Sequence, residues 1–151
     1  MPRIRPEYKG KYRLEPDEFY AAYYFALRYD RLRAEVEEAK RHGSNVELPK
    51  GTLYGQSRKN TSAISKPTER QAIALAQRDL QARAQIGKIE KAAREAAAGA
   101  GEAFRKCLLY GVTHKAVTYA WLERHMSIPS GRDMYYDRRR RFYWLLNQMI
   151  Q

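Results

Sequence analysis

From Phe19 onward the apolar residues of this chain gather on one helical face, Phe19, Tyr20, Tyr23, Ala26 and Leu27. Nowhere in its 151 residues do β-branched side chains alternate with polar ones at period two. That pattern predicts an all-α protein. The first helix has its start written before it: Pro16 suits the first helical position, and Asp17 and Glu18 put negative charge at the positive end of the helix dipole. Helical composition continues through Leu32, Glu35, Val36 and Lys40 to a stop at His42-Gly43. A second long helix is expected from Pro67, where Thr68 and Gln71 have the spacing of a capping box. Its thin apolar stripe, Ile73, Ala76, Leu80, Ile86, Ile89 and Ala93, suits packing against another helix. The alanines of Ala96 to Ala103, interrupted by Gly99 and Gly101, mark a break.

These elements suggest three regions. Residues 1–14 form an irregular basic arm with Arg3, Arg5, Lys9, Lys11 and Arg13. Residues 15–100 form a long helical hairpin whose connecting loop, 43–66, includes the basic stretch Ser57 to Lys66. Residues 101–151 hold shorter helices and both tryptophans. In this last region Phe104 to Tyr110 reads as a short helix ending at Gly111. Thr113 can cap a second, with Ala116, Val117, Ala120, Trp121 and Leu122 as its apolar positions. Met126 to Ser130 makes a turn anchored by Ile128, and Ser130-Gly131-Arg132-Asp133 has capping spacing ahead of a last helix from about Gly131 to Met149.

Lysine and arginine number 29 against 17 aspartates and glutamates, a formal net charge of +12 that favours a polyanionic partner. With 44% hydrophobic residues the chain can build a core, so it is not a disordered basic tail. Its longest apolar run, Phe19 to Leu27, is too short to span a bilayer, and no signal-peptide core follows the first basic residues. The single cysteine, Cys107, excludes an intramolecular disulfide. A soluble, cytoplasmic protein without a membrane partner is expected.

Two short helices joined by a tight turn, the second rich in arginine, is the sequence form of a helix-turn-helix. On a helical wheel Met134, Tyr135, Phe142, Leu145 and Met149 form the side expected to pack on Trp121, Leu122 and Ile128. Tyr136, Arg140, Tyr143 and Asn147 lie opposite, with Arg132, Arg139 and Arg141 on the flanks. Arg138 falls near the core side, where it either extends along the surface or pairs with a carboxylate. The candidate DNA-binding residues are therefore Arg132, Tyr136, Arg139, Arg140, Arg141 and Tyr143, with Lys115 from the preceding turn. Arg132, Tyr136 and Arg140 would face base edges, while Arg139, Arg141 and Lys115 hold phosphates. Of the twelve tyrosines, Tyr20, Tyr23, Tyr24 and Tyr135 are assigned to helix packing rather than base stacking.

Catalytic chemistry finds little support. His42, His114 and His125 lie far apart, with no cysteine or carboxylate at metal-ligand spacing. Cys107 reads as a small buried thiol rather than a nucleophile. Gly51-Thr52-Leu53-Tyr54-Gly55 lacks the Gly-Lys-Ser/Thr ending of a phosphate loop. Neither an enzyme nor a cofactor or metal is expected.

The stretches Tyr110-Gly111-Val112-Thr113, Thr118 to Leu122 and Ile128 to Phe142 resemble small phage and prophage proteins of Firmicutes, similar to the RinA and ArpU groups of transcriptional regulators. Pro67 to Ala72 and Ile86 to Glu90 also resemble the long helix of such regulators. The likeness covers about forty C-terminal residues well and the rest loosely. It implies a C-terminal helix-turn-helix similar to the −35-reading region of sigma factors, duplex DNA and RNA polymerase as partners, and control of late phage genes. The chain departs from the pattern at the turn, where Met126-Ser127-Ile128-Pro129 replaces Leu-Gly-Ile-Ser with an insertion before the last helix. A rival reading is a small terminase-like packaging subunit, oligomeric through its long helices. A third is a helical protein whose basic face meets RNA or an acidic partner.

Overall fold

The computed structural model describes residues 10–45 and 61–151, in which six α-helices and no strand are found. The all-α expectation holds. Residues 1–9 of the arm and 46–60 of the expected loop, including Gly51 to Gly55 and Ser57 to Asn60, lie outside the described residues.

Helix α1 (Pro16–Leu27) starts where Pro16 predicts, and the Glu18 carboxylate accepts the Glu15 N–H at 3.1 Å. It does not run on to His42. Arg28 interrupts the ladder, its N–H turning to the Phe25 carbonyl at 3.2 Å, and α2 (Tyr29–Asn45) begins anew and continues past Gly43. No glycine or proline marks this break. Tyr29 is buried and its hydroxyl donates to Glu90 at 2.7 Å, so a tertiary contact fixes the point where the helix restarts. Helix α3 (Thr61–Ala96) begins six residues before Pro67, which leaves Pro67 and Thr68 inside its first turns rather than at its start. The glycine break is as expected: Gly99 and Gly101 take φ of +82° and +92°, and α4 (Glu102–Thr113) follows. A side chain at either position would be strained, so glycine here is a backbone requirement.

Gly111 does not end α4. It lies inside the helix, buried, where a β-carbon would overlap the Tyr135 hydroxyl. Thr113 is not a cap either. It closes α4 with its hydroxyl donating back to the Leu109 carbonyl at 2.7 Å. The cap of α5 (Tyr119–Met126) is Thr118, which accepts the Trp121 N–H at 3.2 Å. Helix α5 ends at Ser127 in the left-handed region, and α6 (Arg132–Ile150) starts after Gly131.

One compact unit joins the residues up to Asp30 with Ile86–Gln151, and Arg31–Gln85 forms another. In the first, α1 packs on α6 and α4, and α4 packs on α5 and α6. Its core is built from Ala22, Tyr23 and Ala26 of α1, Ile89, Ala92 and Ala93 of α3, Phe104, Leu108 and Val112 of α4, Leu122 of α5, and Tyr135, Phe142, Tyr143 and Leu146 of α6. Each large side chain so enclosed contributes about 1.5–3 kcal/mol of transfer free energy. Small residues on α1 and α3 let helix backbones approach the aromatic side chains that fill the centre.

In the second unit Leu32, Val36 and Ala82 are buried, and the surface carries helical ion pairs such as Arg31–Glu35 and Arg83–Asp79. The α3 stripe divides: Ile89 and Ala93 are buried in the first unit, whereas Ile73 and Leu80 are 58% and 67% exposed. The expected packing of the whole stripe against a helix is therefore not realised.

Candidate nucleic-acid interface

The polypeptide between α5 and α6, Ser127 to Gly131, is held at three points. Ile128 is buried, and Ser127 turns the chain with φ 50° and ψ 53°. The Tyr119 hydroxyl donates to the Ser130 carbonyl at 2.6 Å, which ties the first residue of α5 to the approach of α6. Gly131 occupies the N-cap position and has no side chain to cap with, while the Ser130 hydroxyl donates to the Gly131 carbonyl at 3.3 Å. The Ser130–Asp133 box does not form. Asp133 acts instead through its charge in the first turn.

The face that α6 buries differs from the wheel. Tyr135 and Phe142 point inward as expected, joined by Tyr143, Leu146 and Asn147. Tyr143 is 2% exposed and Asn147 5%, so neither can contact DNA from this position. Met134 is 37% exposed and Leu145 half-buried, outside the core they were assigned to. The reason lies in the partner helix. Phe19 and Tyr23 of α1 meet the Tyr143 ring at centroid distances of 5.0 and 6.3 Å, so α6 turns its aromatic side inward. Tyr23 is buried as assigned, while Tyr24 is exposed.

This rotation sorts the four consecutive arginines. Arg138 donates from Nη1 to the Ala96 carbonyl at 3.2 Å, placing a cation at the negative end of α3 rather than beside a carboxylate. Arg139 lies over the Tyr143 ring, 5.3 Å from its centroid, with Nη2 at 3.5 Å from the Tyr143 hydroxyl and Nε enclosed. It is committed inward and is not placed to hold a phosphate. Arg140 and Arg141 are half-exposed, and Arg132 is exposed with its guanidinium 5.7 Å from the Tyr136 ring. Tyr136 is half-buried and its hydroxyl accepts the Tyr119 N–H at 3.4 Å. Lys115 is exposed in the turn between α4 and α5. Of the seven candidates, Arg132, Tyr136, Arg140, Arg141 and Lys115 thus retain access to solvent. Asp133 and Asp137 are exposed among them and temper their charge.

What the sequence does not place is the end of the basic arm. The Tyr12 ring meets Trp144 edge-on at 5.4 Å, which brings Lys11 and Arg13 beside the C-terminal half of α6. The signal was an aromatic residue flanked by two cations in a segment without periodicity. Cys107 is buried within 3.9 Å of the Met126 carbonyl, and burial pushes its thiol up from the ordinary range. Among the described residues no helix is long and apolar enough to cross a membrane, and no group of three His, Cys, Asp or Glu is placed to hold a metal. Neither the protein-family models, nor the curated proteins, nor the solved structures contain a match to this chain.

Proposed function

We propose that the chain is a sequence-specific duplex-DNA-binding protein that presents the first half of α6 to a major groove. The observation that carries this reading is the sorting of side chains on that helix: one side is buried on α1 and α4, while Arg132, Tyr136, Arg140 and Arg141 stay accessible. In the proposed mechanism Arg132 and Arg140 read base edges, for which arginine has the fork geometry to pair with guanine. Arg141 and Lys115 neutralise phosphates. The net charge of +12 supplies nonspecific attraction. The resemblance to phage regulators directs the reading toward control of phage transcription with RNA polymerase as a partner, in the cytoplasm of a bacterial host.

Binding-site selection from random duplexes, followed by Arg140→Ala, tests it. Loss of about 1–3 kcal/mol on the selected site with little change on random DNA is expected. Equal loss on both would make Arg140 a phosphate contact, and no loss on either would remove it from the interface.

The exposed Ile73, Leu75 and Leu80 on α3 favour a second reading, an oligomeric packaging component assembled through that helix. Mass measurement in solution separates the two. A ring of many subunits supports packaging, and a monomer or dimer supports regulation.

A further inference from the structure

Four rings from two helices form a column at the α4–α5 corner. Tyr110 of α4 and His114, the extended residue that caps its C-terminus, supply one pair, and Trp121 and His125 of α5 supply the other, each pair four residues apart. His114 stacks on Tyr110 at 3.9 Å between centroids and 16° between planes. Tyr110 stacks on Trp121 at 5.0 Å and 5°, and Trp121 on His125 at 4.3 Å and 17°. Both imidazoles are fixed in the same way. His114 Nδ1 lies 3.0 Å from the Tyr110 carbonyl, and His125 Nδ1 lies 2.9 Å from the Trp121 carbonyl. A carbonyl only accepts, so each Nδ1 donates, and each ring is pinned flat over the aromatic residue one turn earlier.

The two ends of the column differ. At one end His114 Nε2 meets the Asp30 carboxylate at 2.8 Å, and Thr113 Oγ1 lies 3.1 Å from Nδ1. At the other end His125 is exposed, beside exposed Arg124. Core packing alone does not call for this order, because Tyr110 and Trp121 are half-buried and the terminal ring is in water. A rigid stack of parallel planes with one open end and a neighbouring cation is what a nucleobase needs for stacking, with its phosphate beside the arginine. Bases within a duplex are already stacked on one another, so the base must be unpaired.

We propose that the open face of His125 is a stacking site for an unpaired base of a single-stranded polynucleotide, with Arg124 meeting the adjoining phosphate. This site is separate from the arginines of α6 and does not depend on their role.

Trp121 lies directly beneath His125 and reports on the site. The other tryptophan is Trp144, so the full chain carrying Trp144→Phe leaves Trp121 as the sole indole. At low salt a short oligothymidylate or oligouridylate should quench its fluorescence, and an abasic oligonucleotide of the same length should not. In that background His125→Ala should abolish the quench and weaken oligothymidylate binding about tenfold, whereas His125→Phe, which keeps a ring, should retain both. Circular dichroism melts of the two variants should match the parent, and the Phe variant keeps the test valid if the Ala variant unfolds. No quench by either oligonucleotide, an equal quench by the abasic chain, or unchanged binding by a folded His125→Ala would each overturn the proposal. Duplex affinity measured on the same variants keeps the two readings apart. Its loss in Arg140→Ala with the quench intact would leave this site standing.

Discussion

Gly111 of α4 faces the Tyr135 hydroxyl of α6 so closely that a β-carbon on the glycine would overlap the phenol oxygen. The contact sets the approach of the two helices and leaves that oxygen fully enclosed, with no hydrogen-bond partner among the described residues. Gly111→Ala should cost about 1–3 kcal/mol by overpacking, despite the better helix propensity of alanine. Tyr135→Phe removes a buried hydroxyl that bonds to nothing, so it should be neutral or stabilising by up to about 1 kcal/mol. The double variant should recover most of the loss. Denaturant melts of the four proteins check this, and a double variant no better than Gly111→Ala alone would place the clash elsewhere.

Two non-glycine residues take left-handed backbone, Ala116 at φ 60° before α5 and Ser127 at φ 50° after it. Glycine carries no β-carbon penalty there. Ala116→Gly and Ser127→Gly should each stabilise by up to about 1 kcal/mol, raising Tm by about 2–4 °C. Valine at either site should lower it.

Arg138 caps α3 through the Ala96 carbonyl. Arg138→Ala should therefore reduce stability by about 1 kcal/mol through lost hydrogen bonding and dipole stabilisation. Thermal melts read the loss. Random-duplex affinity should be the same as wild type within a factor of two to three, roughly the spread of a surface charge away from phosphate.

Burial raises the phenols of Tyr135 and Tyr143 above the ordinary range, with the Arg139 charge opposing the shift. An unfolded chain releases those protons near about pH 10, while the folded one keeps them. Above that pH the unfolded state binds fewer protons, so stability falls as pH rises. Ultraviolet titration should show two phenols that ionise only as the protein unfolds, and Tyr143→Phe should lessen the alkaline loss. Ionisation of all twelve tyrosines before unfolding would contradict the assignment.

The helices themselves were legible wherever the chain carries its own punctuation. Pro16 with Asp17 and Glu18 located one start, and Gly99 with Gly101 located one break. The stop at Arg28 was not legible, because its cause is the tie from Tyr29 to Glu90, sixty-one residues away. Gly111 was read as a terminator since a glycine's two uses, left-handed turn and close approach, look alike without the opposing residue. The inward face of α6 is not legible from a helical wheel alone, which groups Met134 and Leu145 with Tyr135 and sets Tyr143 opposite. The ring partners Phe19 and Tyr23 on α1 decide that Tyr143 goes inside. Of the candidate interface, the accessibility of Arg132, Arg140 and Arg141 was foreseen. The inward commitment of Arg139 was not, because it needs the rotated face.

The sorting of the arginine run bears on ionic strength. Each phosphate neutralised adds about −0.9 to the slope of log affinity against log salt on B-form DNA. Four adjacent arginines suggest a run that alone steepens the slope by nearly four such increments. With Arg138 on a helix end and Arg139 against a phenol, the run has at most two to give. A DNA complex of this protein would therefore tolerate salt better than its composition implies, and the two inward cations would act as fasteners of the fold.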